Sequence, residues 1–197
     1  MPEYCNFAAL ERAEREGVHF DIICRPRPSA GAIIAPHGGK IEPGTSEIAA
    51  AIAGDEFNLY CFLGRKPKGN TALHITSSNF DEPKCLNLIS SCDRVVAVHG
   101  CRKGKRTAFV GGRDAELRDA IRDRLEVSGF HTAQATNADL QGVSPRNICN
   151  KGRRRCGAQL EISKTLRDEL TRDTEKLVAF AAAIRAAIAS VLRDAHD

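Results

Sequence analysis

Two apolar, β-branched runs in this chain end in the same way. Ile33-Ile34-Ala35 leads to His37-Gly38-Gly39, and Val95-Val96-Ala97-Val98 leads to His99-Gly100. Short runs of this composition read as buried strands, and a glycine after each histidine lets the backbone turn there. Two such strands set both imidazoles side by side at the carboxyl edge of an α/β sheet, where these folds keep their sites.

The rest of the chain supports that architecture. Strands are expected at about 20–24, 31–35, 57–63, 71–76, 94–98, 107–111, 130–134 and 157–162. Helices fit 45–53, 82–91, 114–127 and 172–194. Asp114 is a suitable N-cap for the third helix, and Gly129 a suitable stop. Leu177, Ile184, Ile188 and Val191 share one face of the last helix, as core positions do. Strand–helix alternation predicts an α/β fold with an open sheet flanked by helices on both faces, that is, three layers. No repeat and no Pro/Gly/Ser-rich linker interrupts the 197 residues, so a single domain over 1–197 is expected. With aromatics at only 5% and no tryptophan, its core must be built from Ile, Leu, Val and Ala.

Charge and compartment narrow the function classes. A net charge of +4 is too small an excess to imply nucleic-acid binding. The amino terminus lacks a basic flank followed by an apolar stretch, and no apolar run approaches the roughly 20 residues of a membrane helix. The expectation is a soluble protein made in a cytoplasm, not membrane-bound. None of the eight cysteines forms Cys-x-x-Cys, and Cys24 and Cys61 sit in apolar runs, so reduced, buried thiols are expected. Cys149 and Cys156, in a basic loop, are the pair to check for oxidation.

Glu42 follows His37 by five residues and can complete a His37/Glu42/His99 set, the ligand type that leaves zinc an open position. Glu47 competes for the carboxylate role, but it opens a helix, where a glutamate interacts favourably with free N–H groups. His19, His131 and His196 have no companion ligand nearby and read as surface or helix-end residues. A hydrolytic zinc also needs a general base, normally a carboxylate. Glu161, between Leu160 and Ile162, is the candidate, against the alternative of an outward-facing strand residue.

Two basic clusters complete the pattern. Arg146, Lys151, Arg153, Arg154 and Arg155 lie between Ser144 and Cys156 without an acid. Arg102, Lys103, Lys105 and Arg106 follow His99, and Arg113 follows Gly111-Gly112. Guanidinium forks bind carboxylates, so cations beside a hydrolytic metal imply an anionic substrate. Arg113 and the Arg153–Arg155 run are the expected substrate contacts. A nucleic-acid patch is the competing reading, weakened by the lack of interleaved aromatics.

The motifs APHGGKIEPGTSEIA, LHITSSNFDEP, VVAVHGC, VGGRD, SPRNICN and GAQLEIS stand in this order. With them the chain resembles the phage-type poly-γ-glutamate hydrolases, sometimes labelled phage-related replication proteins, from about Gly31 to the final helix. The resemblance implies a zinc peptidase with an open α/β fold similar to the carboxypeptidase A class, acting on the γ-amide backbone of poly-γ-glutamate. It implies His37, Glu42 and His99 as zinc ligands and Glu161 as the base, and release, if any, by host lysis. Two alternatives stay open: a nucleic-acid-binding replication accessory protein, and an amide hydrolase for other N-acylated acidic amino acids.

Overall fold

A computed structural model of the protein describes residues 4–102, 105–135 and 140–193. His196 and Lys103 lie outside the described residues. Among the described residues, seven strands form one mixed sheet: β1 (Phe20–Arg25), β2 (Gly31–Gly39), β3 (Asn58–Gly64), β4 (Arg94–Cys101), β5 (Thr107–Gly112), β6 (His131–Gln134) and β7 (Ala158–Ser163). Their spatial order is β1-β3-β2-β4-β7-β5-β6. Strands β3, β2, β4 and β7 run parallel in the middle. β1 and β5 run antiparallel to their inner neighbours β3 and β7.

Helices α1 (Phe7–Ala13), α2 (Thr45–Ala53), α3 (Pro83–Ser90), α4 (Ala115–Val127), α5 (Lys164–Arg172) and α6 (Thr174–Arg193) cover both faces. On one face, Ile33, Ala35, Val96, Val98, Leu160 and Ile162 pack against α2, α4, α5 and α6 through Ile48, Ile121, Leu166 and Ile184. On the other, Ala32, Ile34, Val95 and Ala97 pack against α1, α3 and the 73–80 segment through Leu10, Leu73, Phe80 and Ile89. Strand alternation therefore sorts odd and even positions cleanly onto two cores, giving the expected three layers. No helix among the described residues is long and apolar enough to cross a membrane.

The structure corrects three local expectations. Residues 71–76 form no strand; Asn70–Leu73 is a 3-10 turn followed by an irregular segment. Leu73 and Ile75 are buried on either side of half-buried His74, an alternation that mimics a strand without having one to pair with. The last helix does not begin until Thr174, because a separate helix, α5, precedes it, with Ser163 accepting a hydrogen bond from the Leu166 N–H at its start. Helix α1, capped by the Asn6 side chain on the Ala9 N–H, was not foreseen. Asp114 caps α4 on the Leu117 N–H as expected, and Gly129 follows with a left-handed φ of 81°. The eight cysteines are all free thiols.

β2 and β4 pair only from Gly31 to Ile34 on β2. Beyond that point the two carboxyl ends part. β2 connects through α2 to β3 on one side, whereas β4 leads toward β7 and β5 on the other. That reversal of direction is where open α/β sheets form a crevice.

Candidate metal centre and cleft

His99 comes from regular strand. It follows Val95 and Ala97 in the two-residue repeat and so shares their face. Glu161 is its direct register partner on β7, with Gln159 two residues behind on the same face. His37 needs a device. In an unbroken β2 it would share a face with Ile33 and Ala35, pointing into the wrong core. The β2–β3 register instead shifts between Ala35 and Gly38, so that Pro36 and His37 oppose Phe62 alone. This β-bulge turns His37 to the face of His99 and Glu161, and Pro36, lacking an N–H, is tolerated there.

Glu42 arrives on the short loop between β2 and α2. Its own N–H donates to the His37 carbonyl at 2.9 Å. The Thr45 hydroxyl donates to the Glu42 carbonyl at 2.8 Å. Gly44, at φ 94°, provides the left-handed residue from which α2 starts. Glu47 lies exposed in the first turn of α2, bonded to Ser46, and is not among the histidines.

These elements bring three ligand-type atoms together, all within 4.8 Å of one another: one each from His37, Glu42 and His99. The two Nδ1 atoms are 3.1 Å apart. His37 Nδ1 lies 3.3 Å from Glu42 Oε1, and His99 Nδ1 lies 3.9 Å from Glu42 Oε2. Zinc bonds of about 2.0–2.1 Å place tetrahedral donors roughly 3.3 Å apart, so this spacing fits the ion. Proton placement agrees. The His37 Nε2 contacts the Ile75 carbonyl at 2.7 Å, and a carbonyl can only accept. The Nε2 thus carries a proton and Nδ1 is the nitrogen turned to the trio, the arrangement usual for a ligating histidine. Two imidazole nitrogens facing each other at this distance leave room for one cation or one shared proton.

Electrostatics favour the same reading. Burial and His37 together hold His99 down to about 3, so its imidazole is neutral at neutral pH, as a ligand must be. Burial alone would raise the Glu42 carboxyl, but His37, His99 and the Gly100 N–H outweigh it and bring it to about 2. That N–H donates to Glu42 Oε2 at 2.7 Å. Glu161 moves the other way: burial, then repulsion from Glu42, pushes it up to about 8. It is buried, so it is not an outward-facing strand residue. Its Oε1 accepts from Gln159 Nε2 at 3.0 Å, and Asn147 Nδ2 donates to Gln159 Oε1 at 2.8 Å. This chain of amides fixes the carboxylate in place.

His37, Glu42, His99 and Glu161 line one cleft of about 740 Å³, with His74, Ser77, Ser144, Asn147 and Arg102 among its other walls. His74 is the site residue that sequence reasoning missed. Its ring stacks on His37 at 3.8 Å between centroids, and its Nε2 is 3.7 Å from Glu42 Oε1. Burial, then His37, lowers its imidazole to about 4. A histidine inside the apolar TALHI run, in a chain with two other placed histidines, was the available signal.

The expected arginines are not among the cleft residues. Arg153 forks onto Asp93, just ahead of the amino end of β4, and Arg154 lies against Asp114 at 3.7 Å. Arg155 follows in that turn, at a left-handed φ of 55°. Arg113 reaches the Val143 carbonyl at 3.4 Å from behind the cleft wall. The carboxylates at the far end of the sheet draw in the charge that the sequence left unpaired. Arg102, exposed one residue beyond β4, is the arginine that lines the cleft.

Residues 4–180 match the poly-gamma-glutamate hydrolase family. The chain belongs to that family. The prophage-derived protein YoqZ of Bacillus subtilis is 38% identical over 170 residues, covering 85% of this chain. The chain spans 61% of the length of YoqZ. Among solved structures, a bacteriophage poly-gamma-glutamate hydrolase superposes with a TM-score of 0.91 at 32% identity, covering 98% of this chain and 99% of that one. The zinc-free form of YndL gives 0.88 at 30% identity, covering 95% and 98%. A putative carboxypeptidase from Burkholderia mallei, at 0.50 and 12% identity over 89% of this chain and 60% of its own, shares the fold alone. The carboxypeptidase-like α/β architecture of the family is thus the architecture found.

Proposed function

We propose that this member of the poly-gamma-glutamate hydrolase family is a zinc-dependent hydrolase that cleaves γ-glutamyl amide bonds of poly-γ-glutamate. What carries the reading is the convergence of His37, Glu42 and His99 within 4.8 Å, in one cleft with the buried Glu161. Zinc held by this trio would supply a Lewis acid that polarises the scissile carbonyl and acidifies water.

Every other part falls to the chain itself. Glu161 takes a proton from the attacking water and returns it to the departing nitrogen. The hydrogen bond from Gln159 favours its ionised form, against the burial and the Glu42 repulsion that raise it. Gln159 and Asn147 keep its carboxylate aimed into the cleft. The Gly100 N–H and the Ile75 carbonyl hold Glu42 and His37 in ligating orientation. Arg102 at the rim takes a substrate α-carboxylate, since the polymer presents one per residue and a guanidinium fork fits it.

The test is incubation of zinc-loaded protein with poly-γ-glutamate and, separately, with N-acylated glutamate, followed by product sizing. Shortening of the polymer is expected. Intact polymer alongside hydrolysed N-acylglutamate would replace this reading with that of a small-molecule amide hydrolase.

A further inference from the structure

Behind the metal trio sits a buried cation that the proposed chemistry does not use. Arg167, on α5, is 6% exposed. Among the described residues no carboxylate pairs with it. Its guanidinium is spent on backbone carbonyls of three separate segments. Nε donates to Ile162 at 3.0 Å on β7, one Nη donates to Pro43 beside Glu42, and the other approaches Cys101 at 3.5 Å on β4. The same group lies flat against Gly100, where a Cβ would fall 2.7 Å from Nε. Gly100 is the residue whose N–H holds Glu42 Oε2.

Burying a guanidinium without a carboxylate in direct contact is costly, so its carbonyl partners must compensate closely. Those carbonyls belong to β4, β7 and the Glu42 loop, the three segments whose relative placement aligns Glu42 with His99. Only a planar fork reaches all three at once; a lysine ammonium cannot. We propose that Arg167 is a positioning residue that locks the Glu42 loop onto β4, fixing the Glu42 carboxylate against Gly100 and the two histidines. Glycine at 100 is then required by close approach, because any side chain there would displace the guanidinium.

The proposal rests on the metal-binding reading of the trio, and two measurements keep them apart. The first is zinc affinity by competition with a chromophoric chelator. The second is amide hydrogen exchange in metal-free protein at Gly100 and Glu42, compared with Val96 and Leu160 in the central strands. Arg167→Met should weaken zinc binding by roughly 10–100-fold, as loss of a residue that holds a ligand in orientation does. It should also speed exchange at Gly100 and Glu42 ahead of Val96 and Leu160. Arg167→Lys should fall close to Arg167→Met. Gly100→Ala should weaken zinc similarly, yet add little loss in an Arg167→Met background, where the obstructing group is gone. Equal acceleration at all four amides, or unchanged zinc affinity in Arg167→Met, would overturn the proposal and leave Arg167 as a general stabiliser. If the wild type bound no zinc while Arg167→Met still loosened Gly100 and Glu42 selectively, the metal reading would fall and the lock would stand.

Discussion

The Nδ1 atoms of His37 and His99 face each other at 3.1 Å across 62 residues of sequence, one from a bulged strand and one from a regular strand. Both are buried, and neither can turn away without breaking a contact: His37 holds Ile75, and His99 is packed within the second core. His37→Ala or His99→Ala should therefore lower bound zinc from about one per chain to background, measured by metal analysis after dialysis. Glu42→Gln should do the same, whereas Glu47→Gln should retain the metal. Full occupancy in both histidine variants would sink the assignment.

Glu161→Gln separates base from ligand. Zinc should remain bound while kcat falls by roughly 10²–10⁴-fold, the usual contribution of a general base. Near-normal turnover of the metal-replete variant would reject Glu161 as the base.

The same residue gives a pH signature in the metal-free protein. Its carboxyl rises from 4.5 to about 8 on folding, so between those values the folded state keeps a proton that the unfolded state has released. Stability from this group is complete below about 4.5 and is lost as pH rises through about 8. Denaturant unfolding at pH 5 and pH 8 should show the wild type losing more stability than Glu161→Gln across that interval. Parallel losses in the two proteins would mean that the carboxyl is not raised.

Substrate charge should be read at Arg102 first. Arg102→Gln is expected to raise KM several-fold with a smaller change in kcat, and to weaken the salt dependence of KM. Arg153→Gln, whose charge already faces Asp93, should leave both nearly unchanged. The reverse result, a KM effect at Arg153 and none at Arg102, would return substrate binding to the 153–155 turn.

Much of this was legible in the chain because strands announce themselves by composition and their termini by glycine. β2, β4 and β7 lie where the apolar runs predicted, and His37, Glu42 and His99 do meet in space. What escaped was set by contacts remote in sequence. His74 was hidden in a false alternation, since Ile75 offers its carbonyl to His37 and not to a neighbouring strand. The acids that engage Arg153 and Arg154 stand 60 and 40 residues away from them in sequence, as the pairs Arg153–Asp93 and Arg154–Asp114 show. Arg167 gave no local sign, for its partners are carbonyls that every residue possesses.

The bulge at Pro36-His37 makes the cleft a matter of counting. Sheet faces alternate residue by residue, so one residue inserted in β3 beside Phe62 would give Pro36 and His37 a partner each, restore unbroken pairing and carry the imidazole to the Ala35 face, on the α2 side. The polypeptide would keep its strands and every ligand residue, and still have no place for the ion. An insertion of equal length in the turn between β3 and Asn70 would be absorbed by the loop. Metal retention by these two lengthened proteins should differ completely, although each gains a single amino acid.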